Sequence, residues 1–75
     1  MKLKKLIHYI DSETRVYVIN KGRLLVCGHP ESIVPVNPTI VVDENTSQEI
    51  PILETKVKSI SIGASNLSLR VEVKL

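Results

Sequence analysis

Apolar and polar residues alternate strictly in the last nine residues of the chain, which is the pattern of a strand with one buried face. The apolar positions of this segment are Leu67, Leu69, Val71, Val73 and Leu75. Shorter apolar runs rich in β-branched residues predict further strands at 15–19, 23–27, 39–42 and 57–62. The chain is therefore expected to be rich in strands.

The first ten residues follow helical rather than strand spacing. Leu3, Leu6, Ile7 and Ile10 recur at i, i+3, i+4 and i+7, which places them on one stripe of a helix. A helix this short is marginal in water unless it packs on something. A basic amphipathic helix is also typical of membrane-surface binding, but three turns at most bring too little apolar area. We expect it to pack on the sheet.

The clearest local signal is a β-hairpin between the first two strands. Residues 20–22 (Asn-Lys-Gly) predict a three-residue loop with glycine in the left-handed position. Val16 and Val18 then share the buried face, joined by Leu24 and Val26 unless a bulge shifts the register.

Prolines limit the structure of the middle of the chain. Pro30, Pro35 and Pro38 exclude a long helix or a central strand there, although one helical turn over 30–33 is compatible with proline at the first helical position. Pro51 confines the apolar stretch 50–53 to the edge of a sheet.

These elements predict an α+β fold in which a short N-terminal helix packs on a four- to five-stranded antiparallel sheet. The alternative is an all-β small barrel with the N-terminus as a strand. A chain of 75 residues has room for a single domain, 1–75, and is too short for a nucleotide-binding βαβ enzyme fold or a barrel enzyme.

Composition adds a cellular context to this fold. Hydrophobic residues make up 43% of the chain without Trp or Phe, so the core must be aliphatic. Cys27 is the single cysteine, which excludes an internal disulfide and fits a reducing compartment. The apolar run 6–10 is too short for a signal peptide, and no run is long enough for a membrane span. We expect a cytoplasmic protein.

Catalytic chemistry has one candidate pair, Cys27 and His29. On an extended segment their side chains lie about 6–7 Å apart, which exceeds the reach of a nucleophile and its base. We expect a buried free cysteine beside a loop histidine. The chain has no paired metal-ligand spacing and no glycine-rich phosphate loop. The sequence predicts no catalytic residue, metal site or cofactor, and therefore not an enzyme.

Charge is distributed unevenly along the chain. From Leu24 to Thr55 there is no Lys or Arg, whereas the flanking segments are basic. A segregated acidic segment can steer a basic partner. The leading hypothesis is a protein–protein interaction module. The predicted partner-facing carboxylates are Asp43, Glu44, Glu49 and Glu54.

The alternative is nucleic-acid binding by the basic N-terminal region and the hairpin tip. The residues concerned are Lys2, Lys4, Lys5, Lys21 and Arg23. Two tyrosines are few for base stacking, and the acidic segment opposes a groove that follows phosphates. Homo-oligomerisation is a third hypothesis, through an edge strand near 50–53 or 67–75.

Three segments carry a resemblance to a known group of proteins. They are MKLKKLIHYIDSETRVYV, VINKGRLLVCGHPESI and VKSISIGASNLSLRVEV. The chain resembles small uncharacterised proteins of phages and mobile elements of Gram-positive bacteria, and residues 35–53 depart from that pattern. The resemblance implies an accessory protein in the bacterial host cytoplasm. A natural role there is to modulate or inhibit a host factor, such as a defence nuclease.

Overall fold

The structure is a computed structural model that describes residues 1–43, 45–62 and 68–75. The short helix α1 precedes two strands and a second helix, and four further strands follow. In chain order the elements are α1 (Leu3–Ile7), β1 (Arg15–Asn20), β2 (Arg23–Gly28), α2 (Pro30–Val36), β3 (Thr39–Asp43), β4 (Gln48–Pro51), a 3-10 helix (Ile52–Glu54), β5 (Lys56–Ile62) and β6 (Ser68–Lys74).

Four of the strands form one sheet in the order β2-β1-β6-β5, and β3 and β4 form a separate two-stranded sheet. The fold class is α+β, as predicted, and the described strands form no closed barrel. The prediction of a purely antiparallel sheet is wrong in one respect, because β1 and β6 pair in parallel. Each of these two strands also pairs antiparallel with its own hairpin partner, β2 or β5. The sheet is therefore two hairpins joined side by side.

The hydrophobic core lies on one side of this sheet. Val16 and Val18 of β1 and Val71 and Val73 of β6 are fully buried. They belong to the same cluster as the buried residues of the helices that cover them, namely Leu3, Ile7, Ile33, Ile52 and Leu53. The core is aliphatic, as the composition predicted. The buried residues of α1 are two members of the predicted stripe, and the other two, Leu6 and Ile10, are half-buried.

The turn between β1 and β2 is tighter than predicted. It has two residues, Lys21 and Gly22, with φ of 50° and 79°, and Asn20 pairs with Arg23 as part of the strands. Positive φ at both central residues is the geometry that matches the twist of a hairpin. A bulge after Val18 sets Leu24 opposite Ile19 and away from the core, so Leu24 is 53% exposed.

The proline-rich middle differs from its prediction in two places. Helix α2 extends to Val36, past Pro35, and ends where the backbone N–H of left-handed Asn37 donates to the Ile33 carbonyl. The stretch 50–53 is not one edge strand, because β4 ends at Pro51 and the 3-10 helix then buries Ile52 in the core.

Candidate protein-interaction surface

The β3–β4 hairpin, residues 39–51, is fixed to the core at its base. The Ile52 N–H donates to the Pro38 carbonyl over 2.7 Å, and the Leu53 N–H donates to Asn37 Oδ1 over 3.1 Å. Ile40 lies opposite Ile50 and packs against the core cluster. This side of the hairpin therefore faces the protein. We call residues 39–51 the hairpin arm.

The other side of the hairpin arm faces solvent. Val41 lies opposite Glu49 in the strand pairing. This pair is one position along from the Ile40–Ile50 pair, so its side chains point to the opposite side of the arm. Val41 is 49% exposed and Glu49 is exposed. No side chain described between 39 and 51 is buried. An apolar side chain and a carboxylate thus lie next to each other on an arm whose base is held in place.

The four predicted partner-facing carboxylates do not share one environment. Asp43 is the last residue of β3, opposite Gln48, with a bulge between it and Val41. Its side chain and the whole of Glu44 lie outside the described structure. Glu49 is on the outer side of the arm. The backbone positions of Asp43 and Glu49 therefore belong to the arm, whereas Glu54 lies beyond it.

Glu54 binds the N-terminal helix. Its two carboxylate oxygens accept hydrogen bonds from Lys2 Nζ at 2.7 Å and from Lys4 Nζ at 3.1 Å. The hydrogen bond from Lys2 is the main reason that the pKa of Glu54 lies below its ordinary value, and Lys4 adds to it. All three side chains are exposed to solvent, so the pair is screened and contributes little to stability. Its structural effect is to connect α1 with the 3-10 helix.

The basic residues proposed for nucleic-acid binding fall into two groups, those paired with Glu54 and those elsewhere. Lys2 and Lys4 are held by Glu54, whereas Lys5 is exposed on α1, and Lys21 and Arg23 are exposed at the β1–β2 turn. The N-terminal lysines and the hairpin tip thus do not form one set of equally available cations.

A cavity that the sequence did not predict collects cations from three separate segments. Lys21, Lys58 and Lys74 line a space of about 570 Å³ together with Glu72. Val42 of the hairpin arm lines the same space. The antiparallel pairing of Lys56 with Lys74 is what brings the basic start of β5 beside the basic end of β6. The sequence shows a lysine in β5 and another in β6, Lys58 and Lys74, but only the strand register shows that they line the same cavity.

Cys27 and His29 lie in different environments. Cys27 lies opposite Tyr17 on the uncovered side of the sheet and is exposed, so the prediction of a buried cysteine is wrong. The reason is the register of β2, in which Val26 rather than Cys27 lies opposite buried Val18. His29 precedes α2, and its Nδ1 is buried and has no hydrogen-bond partner among the described residues.

No three His, Cys, Asp or Glu side chains of residues 1–43, 45–62 and 68–75 come together in a group that could hold a metal ion. Within the same ranges, no helix is long and apolar enough to cross a bilayer.

Comparison of the chain with known protein families, with curated proteins and with solved structures gives no match.

Proposed function

We propose that this protein is a non-enzymatic interaction module that binds another protein through the outer side of the hairpin arm. The observation that carries the proposal is the exposed Val41–Glu49 pair on a hairpin whose base is hydrogen-bonded to the core. An isolated two-stranded hairpin is at best marginally stable. Hydrogen bonds to Asn37 and Pro38 tie the base of this hairpin to the core, and restraint of this kind reduces the conformational entropy lost when a partner binds.

The partner surface that fits the arm is basic with an apolar centre. The arm lies within a stretch, Leu24 to Thr55, that contains no Lys or Arg. No cation of this stretch therefore neutralises the negative charge of the arm. Complementary charge speeds the encounter and selects the partner, while burial of Val41 supplies affinity. We leave Glu54 out of the proposed surface, because its carboxylate is already paired with Lys2 and Lys4.

The resemblance to phage and mobile-element proteins supports a bacterial host cytoplasm as the setting of this binding. A defence nuclease holds the phosphates of its substrate with Lys and Arg side chains. An acidic arm bound at such a surface would compete with nucleic acid for the same cations. Inhibition or modulation of a host factor of this kind is therefore the role that we propose.

The experiment is capture from nuclease-treated bacterial lysate with tagged protein and two variants. Glu49→Lys reverses a charge on the arm, and Glu31→Lys makes the same change at an exposed position on α2. The proposal expects one protein to be captured by the wild type and by Glu31→Lys, and lost with Glu49→Lys. Equal capture by both variants would show that the arm is not the contact surface.

Nucleic-acid binding remains the second candidate, supported by the convergence of Lys21, Lys58 and Lys74 on one cavity. Neutralising Lys21 to Gln should weaken binding and reduce its dependence on salt, whereas Lys5→Gln on α1 should change little. A gel-shift series with no retardation at low salt would eliminate this candidate.

A further inference from the structure

Strand β5 forms one edge of the four-stranded sheet, and the described part of the chain covers only the beginning of that edge. The Val57 N–H donates to the Met1 carbonyl, and the Leu3 N–H donates to the Thr55 carbonyl, each over 2.8 Å. Lys2 forms an isolated antiparallel bridge with Lys56. The N-terminus of the chain thus occupies the edge at the start of β5, and no described segment pairs with the edge beyond it.

The uncovered part of the edge, residues 59–62, has none of the features that keep strand edges from pairing. Every residue in it is exposed, and the sequence Ser-Ile-Ser-Ile contains no proline and no charge. The bulge in β5 lies earlier, between Val57 and Ser59. Natural monomers protect such edges with charges, prolines, bulges or a covering element. We call residues 59–62 the open edge.

Two isoleucines of the open edge are exposed although they lie on the core side of the sheet. Ile60 is paired with Val71 and Ile62 with Leu69, both on the side covered by α1. Ile60 is nevertheless 47% exposed and Ile62 is 74% exposed. The apolar side of the sheet therefore continues past the residues that cover it, up to the unpaired edge.

We propose that the open edge pairs antiparallel with the open edge of a second copy of this chain, forming a two-fold dimer with a continuous eight-stranded sheet. A two-fold axis at Ser61 sets Ile60 of one copy opposite Ile62 of the other. Both isoleucines of each copy then lie on the same side of the joined sheet, where they cover one another. The interface is self-complementary, as an isologous contact must be.

Charge favours a second copy over an acidic peptide as the occupant. The open edge is neutral, so a partner strand needs no counter-charge. Lys58 lies outside the paired residues, and it is separated from its symmetry mate along the strand direction by about six residues, roughly 20 Å, which exceeds the screening length of about 8 Å at physiological salt. The paired segment is short, so the dimer should form at micromolar or higher concentration.

The experiment is sedimentation of the full chain from low micromolar to millimolar concentration. Ile62→Lys replaces one side chain of each Ile60–Ile62 pair across the interface with a cation and should raise the dimer dissociation constant at least tenfold. Val36→Lys is the matched control, because Val36 is 71% exposed on α2 and lies outside the interface. Circular dichroism of both variants verifies that they are folded.

A second measurement needs no variant. Amide hydrogen exchange at residues 59–62 of the wild type should slow as the protein concentration rises, while exchange in the hairpin arm should not. A monomer at every concentration would overturn the proposal. A dimer that Ile62→Lys and Val36→Lys weaken equally would also overturn it. Amide exchange at 59–62 that does not depend on protein concentration would overturn it too, even if an acidic peptide were found to bind at this edge.

Discussion

Ile52→Ala should remove a large part of the stability of this protein. Ile52 is fully buried in the 3-10 helix between the hairpin arm and β5, in the same cluster as Leu3 and Val71. Truncating a buried isoleucine to alanine costs about 2–5 kcal/mol. A chain of this length has a total stability on the order of 4–11 kcal/mol. The backbone hydrogen bond from Ile52 to Pro38 does not depend on the side chain, so the expected loss comes from packing.

Urea unfolding followed by circular dichroism measures this loss. The midpoint should fall with the slope unchanged, and the melting temperature should fall by at least about 8 °C. The control is Ile62→Ala at low micromolar concentration, the same substitution at a side chain that is 74% exposed. It should change stability by less than about 0.5 kcal/mol. Equal losses in the two variants would refute the assignment of Ile52 to the core.

Three further predictions concern the β1–β2 turn and the Glu54 ion pair. Lys21→Asn should raise stability by about 0.5–1 kcal/mol in thermal unfolding, because asparagine tolerates the left-handed φ of 50° better than lysine; an unchanged melting temperature would contradict this. Gly22→Ala should lower stability by about 1 kcal/mol through the backbone alone, since no atom in the described part of the chain lies within 4 Å of an added Cβ; a neutral result would show that φ is not positive there. Glu54→Gln should be slightly less stable than the wild type at pH 7. That difference in stability should shrink as the pH falls below the ordinary carboxyl pKa of 4.5, and it should vanish below the lower pKa of the folded state, because protonated Glu54 no longer attracts Lys2. A difference that persists at pH 2 would show that it arises from packing instead.

The two ends of the chain were predictable because a single periodicity dominates each of them. Strict alternation in the last nine residues identified β6, in which Val71 and Val73 are buried. Helical spacing at the N-terminus identified α1, with Leu3 and Ile7 buried. In both segments the residues that pack in the core are the same residues that form the periodic pattern in the sequence.

The neighbours of each strand were not predictable in the same way. Alternation shows which side chains of β6 face the core, but the same pattern fits a parallel or an antiparallel neighbour. The parallel pairing with β1 makes β6 a central strand. The hypothesis that residues 67–75 form an edge that pairs between copies is therefore wrong, because β6 has a neighbour on each side and the edges of the sheet are β2 and β5.

The candidate site was only partly predictable. The acidic segment was visible in the sequence, and the structure sets Glu49 beside Val41 on the hairpin arm. The separate role of Glu54 was not visible, because its partners Lys2 and Lys4 are 52 and 50 residues away in the chain. The prediction that residues 50–53 lie at the edge of a sheet was wrong for Ile52, because Pro51 ends β4 and the chain then turns into the core.

Amide hydrogen exchange of this protein with and without its captured partner tests the central proposal most directly. Binding through the hairpin arm predicts that slowed exchange concentrates in β3 and β4, and that Glu49→Lys abolishes the slowing while Glu31→Lys preserves it. Unchanged exchange in the arm, with slowed exchange at the β1–β2 turn or elsewhere on the four-stranded sheet, would contradict the account.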